Sequence, residues 1–374
     1  MKITNIDCNL YSSKYGNGKV LGQPLGVKSI SIIKIETDQN IIGISEAYVG
    51  IYVPELVKKI IQQISEFLIN KDVNTILENE IIQIPFLSRN GVYKSLLGAI
   101  EIALLDCTSK FKNIPLWKIF SETPNKNLNY YFSGGSAAFT PLEIENEINN
   151  LDPVFKGYKM RIGYQNWEND IKRIDKAKSL IDNKSLMLDA IMGSITPSWK
   201  FSDFKNKYDF LKSINPYWLE EPFHPNDLNS YIKASNLDIP IAFGEALVGE
   251  LEFNIFLKSA NLSYIQLDAT HMGGFNIAKD IFGFNNSINA ATHTWGSCIS
   301  FMINLHLSYA FKQFKWVEVP GVEFAISKDM GLGGYYDILK NEKEIMEKPG
   351  LGIELDFDLL EKKYSFKKNS GFSL

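Results

Sequence analysis

The sequence predicts a (β/α)8 barrel carrying an N-terminal α+β capping domain that the C-terminal segment completes. Eight short β-rich runs, "NYYFSGG", "GYKMRIG", "SLMLDA", "PYWLEE", "IPIAFGE", "SYIQLDA", "INAATHT" and "KWVEVPG", recur roughly every 23 to 31 residues. Amphipathic helical stretches lie between most of them, and strand plus helix at that period is the rhythm of parallel strands closed into a barrel. Seven successive runs, the second to the eighth, end on ionisable side chains, as expected where the loops at one barrel end carry the chemistry. A doubly wound open sheet is the competing architecture, but no G-x-G-x-x-G follows the first run.

At 374 residues and 42.4 kDa the chain is too long for one small core and suits a barrel of about 250 residues with a smaller domain. A net charge of -4 and a pI near 5.7 give no polycationic footprint, so no nucleic-acid partner is expected. Cys8, Cys107 and Cys298 are odd in number and far apart; they make no disulfide framework, and a reducing, cytoplasmic setting is expected. The start "MKITNIDCNLY" lacks the apolar run of a signal peptide, and no stretch approaches the length of a membrane span, so no membrane role is expected.

Along the chain, "SISIIKIETDQNIIGISEAYVG" holds two β-rich runs broken by the turn cluster Thr37, Asp38, Gln39 and Asn40, which reads as a hairpin. "VPELVKKIIQQISEFLI" places apolar residues at helical spacing, and "LLGAIEIALLDCTSKFKNIPLWKIFS" is a second helix that ends before Pro115. Residues 1–125 are therefore expected to form the α+β capping unit and 126–340 the barrel. Residues 341–374, with "KPGLGIELDFDLLEKK", are expected to return to the cap.

The run ends supply the chemistry. The second run carries Lys159 and Arg161, two apart and on one face. The later runs end on Asp189, Glu220, Glu245, Asp268, His293 and Glu318 in turn. In "NPYWLEEPF" the adjacent Glu220 and Glu221 must point to opposite faces of a strand, and taken alone the pair reads as a strand end reaching water. In company, Glu220 is expected to face inward and Glu221 to serve the outer layer or its rim. Asp189, Glu220 and Glu245 would repel one another if left bare, which a hard divalent cation resolves, Mg2+ being the default. No Cys or His joins the three, which argues against zinc. Asp268 can hydrogen-bond His293, fixing its tautomer and raising its basicity. His271, in "THMGG", reads as loop surface, and His224 and His306 carry no signal.

In this order the residues Lys-x-Arg, Asp, Glu-Glu-Pro, Gly-Glu, Asp…Gly-Gly, His and Glu resemble the mandelate racemase branch of the enolase superfamily, over nearly the whole chain. "IETDQNIIGISEA" resembles that family's capping hairpin, and "PGLGIEL" at 349–355 its C-terminal return. The resemblance implies one Mg2+ per subunit on Asp189, Glu220 and Glu245. It implies a catalytic dyad of Asp268 and His293, with Glu318 hydrogen-bonding the carboxylate of a small-molecule substrate. A homo-oligomer, dimer to octamer, is expected. The chain departs from the family twice: Lys159 and Arg161 stand where Lys-x-Lys is usual, its second lysine often a base, and Ile191 stands where Asn usually follows Asp-Ala.

The shared step would be removal of the proton α to a carboxylate, with the enediolate stabilised by Mg2+ and a cationic side chain. Arginine is effectively always protonated, so Arg161 suits a clamp and not a base. Dehydration of a sugar acid, aldonate or aldarate, to a 2-keto-3-deoxy acid is the expected reaction. A racemase or epimerase using Lys159 as its second base and a lactone cycloisomerase are the alternatives, and a barrel that binds a metal-chelated acid without turnover is the reading of a different class. Tyr48, Tyr52, Lys14 and Lys19 either meet the distal hydroxyls of the substrate or are solvated surface.

Overall fold

The computed structural model describes residues 1–15, 26–78, 87–89 and 91–368. The capping sheet is antiparallel, in the order β1 (Ile3–Lys14), β2 (Val27–Thr37) and β3 (Ile42–Glu46). The turn between β2 and β3 lies where the Thr37–Asn40 cluster puts it: Asn40 takes a positive φ of 56°, which Asn tolerates, and Thr37 N–H donates to the Ile41 carbonyl at 3.1 Å. After a 3-10 turn (Tyr48–Ile51), α1 (Pro54–Leu68) opens on a proline at its first position and buries Val57, Ile60, Ile61, Ile64 and Leu68 against the sheet. A short α2 (Val73–Glu78) follows.

Helix α3 (Gly91–Phe111) is the hinge of the architecture in a static sense. It is buried almost all round from Ser95 to Ser109 because it serves two cores. Leu96, Ala99, Ile100, Ala103 and Leu104 pack into the cap, while Ile102 and Leu105 belong to the large cluster that continues into the barrel. A helix apolar on every side is a helix between two layers.

The barrel is closed and parallel, in the order β4 (Asn129–Ser133), β5 (Phe155–Arg161), β6 (Ser185–Asp189), β7 (Leu219–Glu220), β8 (Ile241–Phe243), β9 (Tyr264–Leu267), β10 (Asn289–Thr292) and β11 (Phe314–Pro320), which pairs back with β4. All eight β-rich runs of the sequence are these strands. Around them lie α4 (Pro141–Asn149), α5 (Trp167–Leu180), α6 (Phe201–Ile214), α7 (Leu228–Ala234), α8 (Glu250–Ser259), a single turn α9 (Ala269–Met272), α10 (Phe275–Phe284) and α11 (Cys298–Ala310). The lower interior is plugged by Tyr131, Met187, Trp218, Ala242, Tyr264, Ala291 and Trp316, so the barrel is packed and the open end is the other one.

After β11 come α12 (Tyr335–Lys340), α13 (Glu342–Ile345) and α14 (Phe357–Tyr364). The chain returns to the cap here. Gly350 N–H donates to the Ile114 carbonyl at 3.0 Å and its carbonyl accepts from Leu116 at 2.9 Å, while Ser365 bridges to Tyr11 of β1. Asp106 of α3 joins the two ends, accepting from Ile44 N–H at 2.9 Å with one oxygen and from Leu351 N–H at 2.8 Å with the other. Among the described residues no helix is long and apolar enough to cross a membrane. The cysteines are all unpaired and buried.

Candidate active site

The strand register explains the convergence at the open end. Arg161 pairs with Asp189 and Asp189 with Glu220, so consecutive strands deliver their last inward residues at one level. Lys159 of β5 enters the axis below them, 1% exposed. Its ammonium lies 2.6 Å from Glu220 Oε1, 2.8 Å from Glu318 Oε1 and 3.6 Å from Asp189 Oδ2. Burial disfavours the charge, but Glu220 and Glu318 more than offset it and hold Lys159 well above the ordinary lysine range. Glu318 is pushed up by burial and pulled down further by Lys159, His293 and Arg161, to about 2; its other oxygen accepts from Thr294 N–H at 2.8 Å.

Trp218 and Glu220 share the inward face, and the indole Nε1–H donates to Glu220 Oε2 at 3.1 Å. The strand ends there. Glu221 adopts a positive φ of 40°, so strict alternation stops at Glu220 and the Glu221 carboxylate is buried among the loops beside the cluster, 2% exposed. Its Oε1 is buried with no hydrogen-bond partner, and burial, then Glu245 and Asp189, push its carboxyl well above the usual range.

Asp189, Glu220 and Glu245 each offer an oxygen within 4.8 Å of the others, the group among the described residues that could hold a metal ion. Burial raises all three carboxyls, and repulsion within the group adds to it. Carboxylates here outnumber the facing cations Lys159 and Arg161, and one carboxylate oxygen is orphaned. An oxygen-only donor set with excess negative charge fits a hard divalent ion such as Mg2+ and not a soft one.

Two flanks frame this centre. On one, Arg161 donates from Nη1 to the carbonyls of Ser133 at 3.2 Å and Gly134 at 2.7 Å, with Nε 3.9 Å from Asp189. On the other, His293 Nδ1 lies 2.9 Å from Asp268 Oδ2. The second oxygen of Asp268 is already taken by Thr270 N–H (2.9 Å), Thr270 Oγ1–H (2.6 Å) and the Asn304 amide (3.0 Å). Asp268 therefore accepts from His293, the imidazole proton sits on Nδ1, and Nε2 is the nitrogen presented to the site, 3.5 Å from Glu245. Burial draws the imidazole down, but Glu245 and the Asp268 bond raise it to about 9 while Glu245 stands bare, so Nε2 would be free to take a proton once a cation offsets the charge of Glu245.

The cap covers the His293 flank with aromatic rings. Tyr48 lies 5.7 Å from the His293 ring, and its hydroxyl is 3.2 Å from that of Tyr52. Trp295 stands edge-on to both, and its Nε1–H donates to the Tyr15 hydroxyl at 2.9 Å. Of the expected distal contacts, Tyr48 and Tyr52 are thus at the site, Lys14 is exposed at the end of β1, and Lys19 lies outside the described residues. The expectation for His271 is corrected. It is not loop surface but part of α9, whose N-terminus Asp268 caps, and this turn tucks it under Tyr48 at 4.8 Å. Burial pushes it down to about 4, leaving it neutral.

Sequence reasoning missed Asn304, Tyr15 and Trp295. Asn304 accepts from Ala269 N–H at 2.9 Å and donates to the His293 carbonyl and to Asp268, each at 3.0 Å. A lone amide in the apolar helix "CISFMINLHLSYA" was a usable signal, as was Trp295 two residues after His293.

The family pattern described as enolase C-terminal domain-like matches residues 143–359, and that of the mandelate racemase / muconate lactonizing enzyme N-terminal domain matches residues 22–120. The L-talarate/galactarate dehydratase of Salmonella typhimurium is 28% identical over 236 residues, 62% of this chain and 56% of that protein, so the match spans little more than half of the relative. An enolase superfamily member from Polaromonas sp. JS666 superposes with a TM-score of 0.84 at 23% identity, covering 100% of both chains. The 3,6-anhydro-D-galactonate cycloisomerase of Zobellia galactanivorans gives 0.81 at 23%, over 98% of this chain and 100% of that one. A racemase from Streptomyces coelicolor A3(2) with bound magnesium gives 0.81 at 18%, over 97% and 99%. At these identities the structural likeness carries the fold.

Proposed function

The chain belongs to the enolase superfamily, in the branch of mandelate racemase and muconate lactonizing enzyme, and on that premise we propose that it dehydrates a sugar acid to a 2-keto-3-deoxy acid. One observation carries the choice of reaction: among the described residues, one flank of the site alone holds a group built to pass a proton. His293 has its Nδ1 proton anchored on Asp268 and its Nε2 presented inward. Arg161 opposite is pinned to the carbonyls of Ser133 and Gly134 and stays charged. Lys159 is enclosed by Glu220 and Glu318 and held protonated, which removes it as the base of a second face.

Asp189, Glu220 and Glu245 would hold Mg2+, which when bound neutralises the carboxylate cluster and stabilises the negative charge that develops on the substrate. Magnesium in solved relatives supports that choice. Lys159 and Arg161 add fixed positive charge at the same edge, where it favours the more highly charged enediolate over the substrate carboxylate. His293 Nε2 accepts the proton from C2 and returns it to the hydroxyl on C3. The C2–H and C3–O bonds break, a double bond forms between C2 and C3, water leaves, and the enol relaxes to the ketone. Asp268 holds the imidazole in the tautomer this needs. The rings of Tyr48 and Trp295 stand over that flank.

The experiment is incubation with galactarate, and then a panel of mono- and diacid sugars, in deuterated buffer with Mg2+. A keto-acid product with little deuterated epimer of the starting acid is expected. Efficient epimerisation without elimination would return the chain to the racemases, and the absence of both exchange and product with every acid would leave it a binder. The aromatic flank favours one second reading, cycloisomerisation of a cyclic sugar acid, because flat rings pack well on the C–H face of a ring. In that case the product keeps every atom of the substrate.

A further inference from the structure

Helices α10 and α11, which come after Asp268 and His293 in the chain, have N-termini held by carboxylates that do not belong to the barrel. Glu101 of α3 accepts with Oε1 from the N–H groups of Phe275 and Asn276, the first two residues of α10, at 3.1 Å each. Glu46, the last residue of β3, accepts from Ser297 N–H with both oxygens, at 3.0 and 3.1 Å, and from the Ser297 hydroxyl, at the start of α11. Both carboxylates are buried, 6% and 1% exposed. Each sits in a notch made by a glycine. A Cβ on Gly274 would lie 2.4 Å from Glu101 Oε2, and one on Gly296 would lie 2.6 Å from Glu46 Oε1. The same device is used twice: a cap carboxylate, a glycine that clears space for it, and a helix N-terminus whose unpaired N–H groups receive it.

Both devices end on the loops that carry the acid/base pair. Between Asp268 and α10 lie only α9 and Gly273–Gly274; between His293 and Ser297 lie Thr294, Trp295 and Gly296. The first loop is also held by direct backbone contact, since a Cβ on Gly98 of α3 would come within 2.2 Å of the Gly273 carbonyl carbon. Asn304 of α11 ties the two loops together through Asp268 and the His293 carbonyl. A short chain segment fixed at both ends has little freedom, so the anchored N-termini set where Asp268 and His293 stand.

We propose that Glu46 and Glu101 are positioning residues for the Asp268–His293 pair, through which the capping domain fixes the proton-transfer geometry from behind as well as covering the substrate from above. This rests on the reading of Asp268 and His293 as the acid/base pair. Asp106 is the internal control. It is a third buried carboxylate of the same cap, but its hydrogen-bond partners are Ile44, Lys110 and Leu351, none of which belongs to either loop.

The test is nitrogen-15 NMR of the histidine side chains in the Mg2+-loaded protein, with the His293 signal assigned by its absence from His293→Asn. Wild type is expected to show a protonated, slowly exchanging Nδ1. Glu46→Ala and Glu101→Ala should mix the tautomers and lose that proton to exchange, with Mg2+ affinity changed less than about threefold. Where an acid turns over, kcat should fall about 10- to 100-fold, the scale for losing an outer partner of a site, with KM little changed. Asp106→Ala should lower thermal stability and leave the His293 signal as in wild type. An unchanged His293 signal in both glutamate variants, or an equal disturbance from Asp106→Ala, overturns the proposal. Should an alanine variant not fold, Glu46→Met and Glu101→Met keep the length of the side chain without an acceptor, and a wild-type signal in both overturns it equally. The NMR result does not depend on galactarate being a substrate, so failure of the proposed reaction and failure of this inference read differently.

Discussion

Glu220 and Glu221 are neighbours in sequence and are held by different things. Glu220 is tied to Lys159 and Trp218 inside the barrel, while Glu221 leaves the strand at a positive φ and keeps a bare buried oxygen. Glu220→Gln should weaken Mg2+ binding about 10- to 100-fold by calorimetry, and Glu221→Gln should stay nearer wild type. A larger loss from Glu221→Gln would exchange their roles. His293→Asn should fold and bind Mg2+ normally yet lose turnover by about 10² or more, and Asp268→Asn should lose turnover as well by releasing the Nδ1 tautomer. Near-normal rates in His293→Asn would sink the pair. Most of these residues were legible in the chain because strand ends are marked by where apolar runs stop. His271 was not, because a single helical turn capped by Asp268 leaves no periodicity to read.

Among the elements, α11 shows how burial writes a pH dependence. His306 is wholly buried in it, its Nδ1 accepting from Trp117 N–H at 3.3 Å, and burial lowers its pKa from the usual 6.5 to about 3. Below pH 6.5 the unfolded chain binds a proton that the folded chain refuses, so stability is full above that value and falls as pH drops from 6.5 towards 3. His306→Asn keeps an acceptor for Trp117 and no proton. Its urea midpoint should therefore fall less than that of wild type between pH 7 and pH 5; an equal fall would place the acid sensitivity elsewhere. The helix itself, buried nearly all round, was not singled out in the sequence. Strand β1 was not read at all, since "ITNIDCNLYSSK" is rich in Asn, Asp and Ser, which strands usually avoid; its partner β2 and the α1 helix beneath it make it a strand.

At the scale of the whole molecule, the barrel was visible in the spacing of its strands, but the join between cap and barrel was not, because it is made by backbone and by buried charge. Gly98 is the clearest case: nothing in "LLGAIE" distinguishes a glycine kept for close approach from one merely tolerated in a helix. Gly98→Ala would drive a methyl into the Gly273 backbone and should cost about 1 to 3 kcal/mol, measured by urea unfolding. A variant as stable as wild type would mean the two layers can part there freely. The closing of the cap by Gly350, Leu351 and Ser365 also imposes an order in time. A ribosome releases residues 1–120 long before residue 351, so Asp106 first folds with one oxygen lacking the Leu351 donor. Until then the C-terminal end of α3 stands without its Leu351 contact. Ending the chain at Met346 should leave α3 open to protease, and resistance equal to full length would contradict this order. The earliest part of the molecule to be made is thus among the last to be finished, and a roof that sets late cannot harden over walls that are still rising.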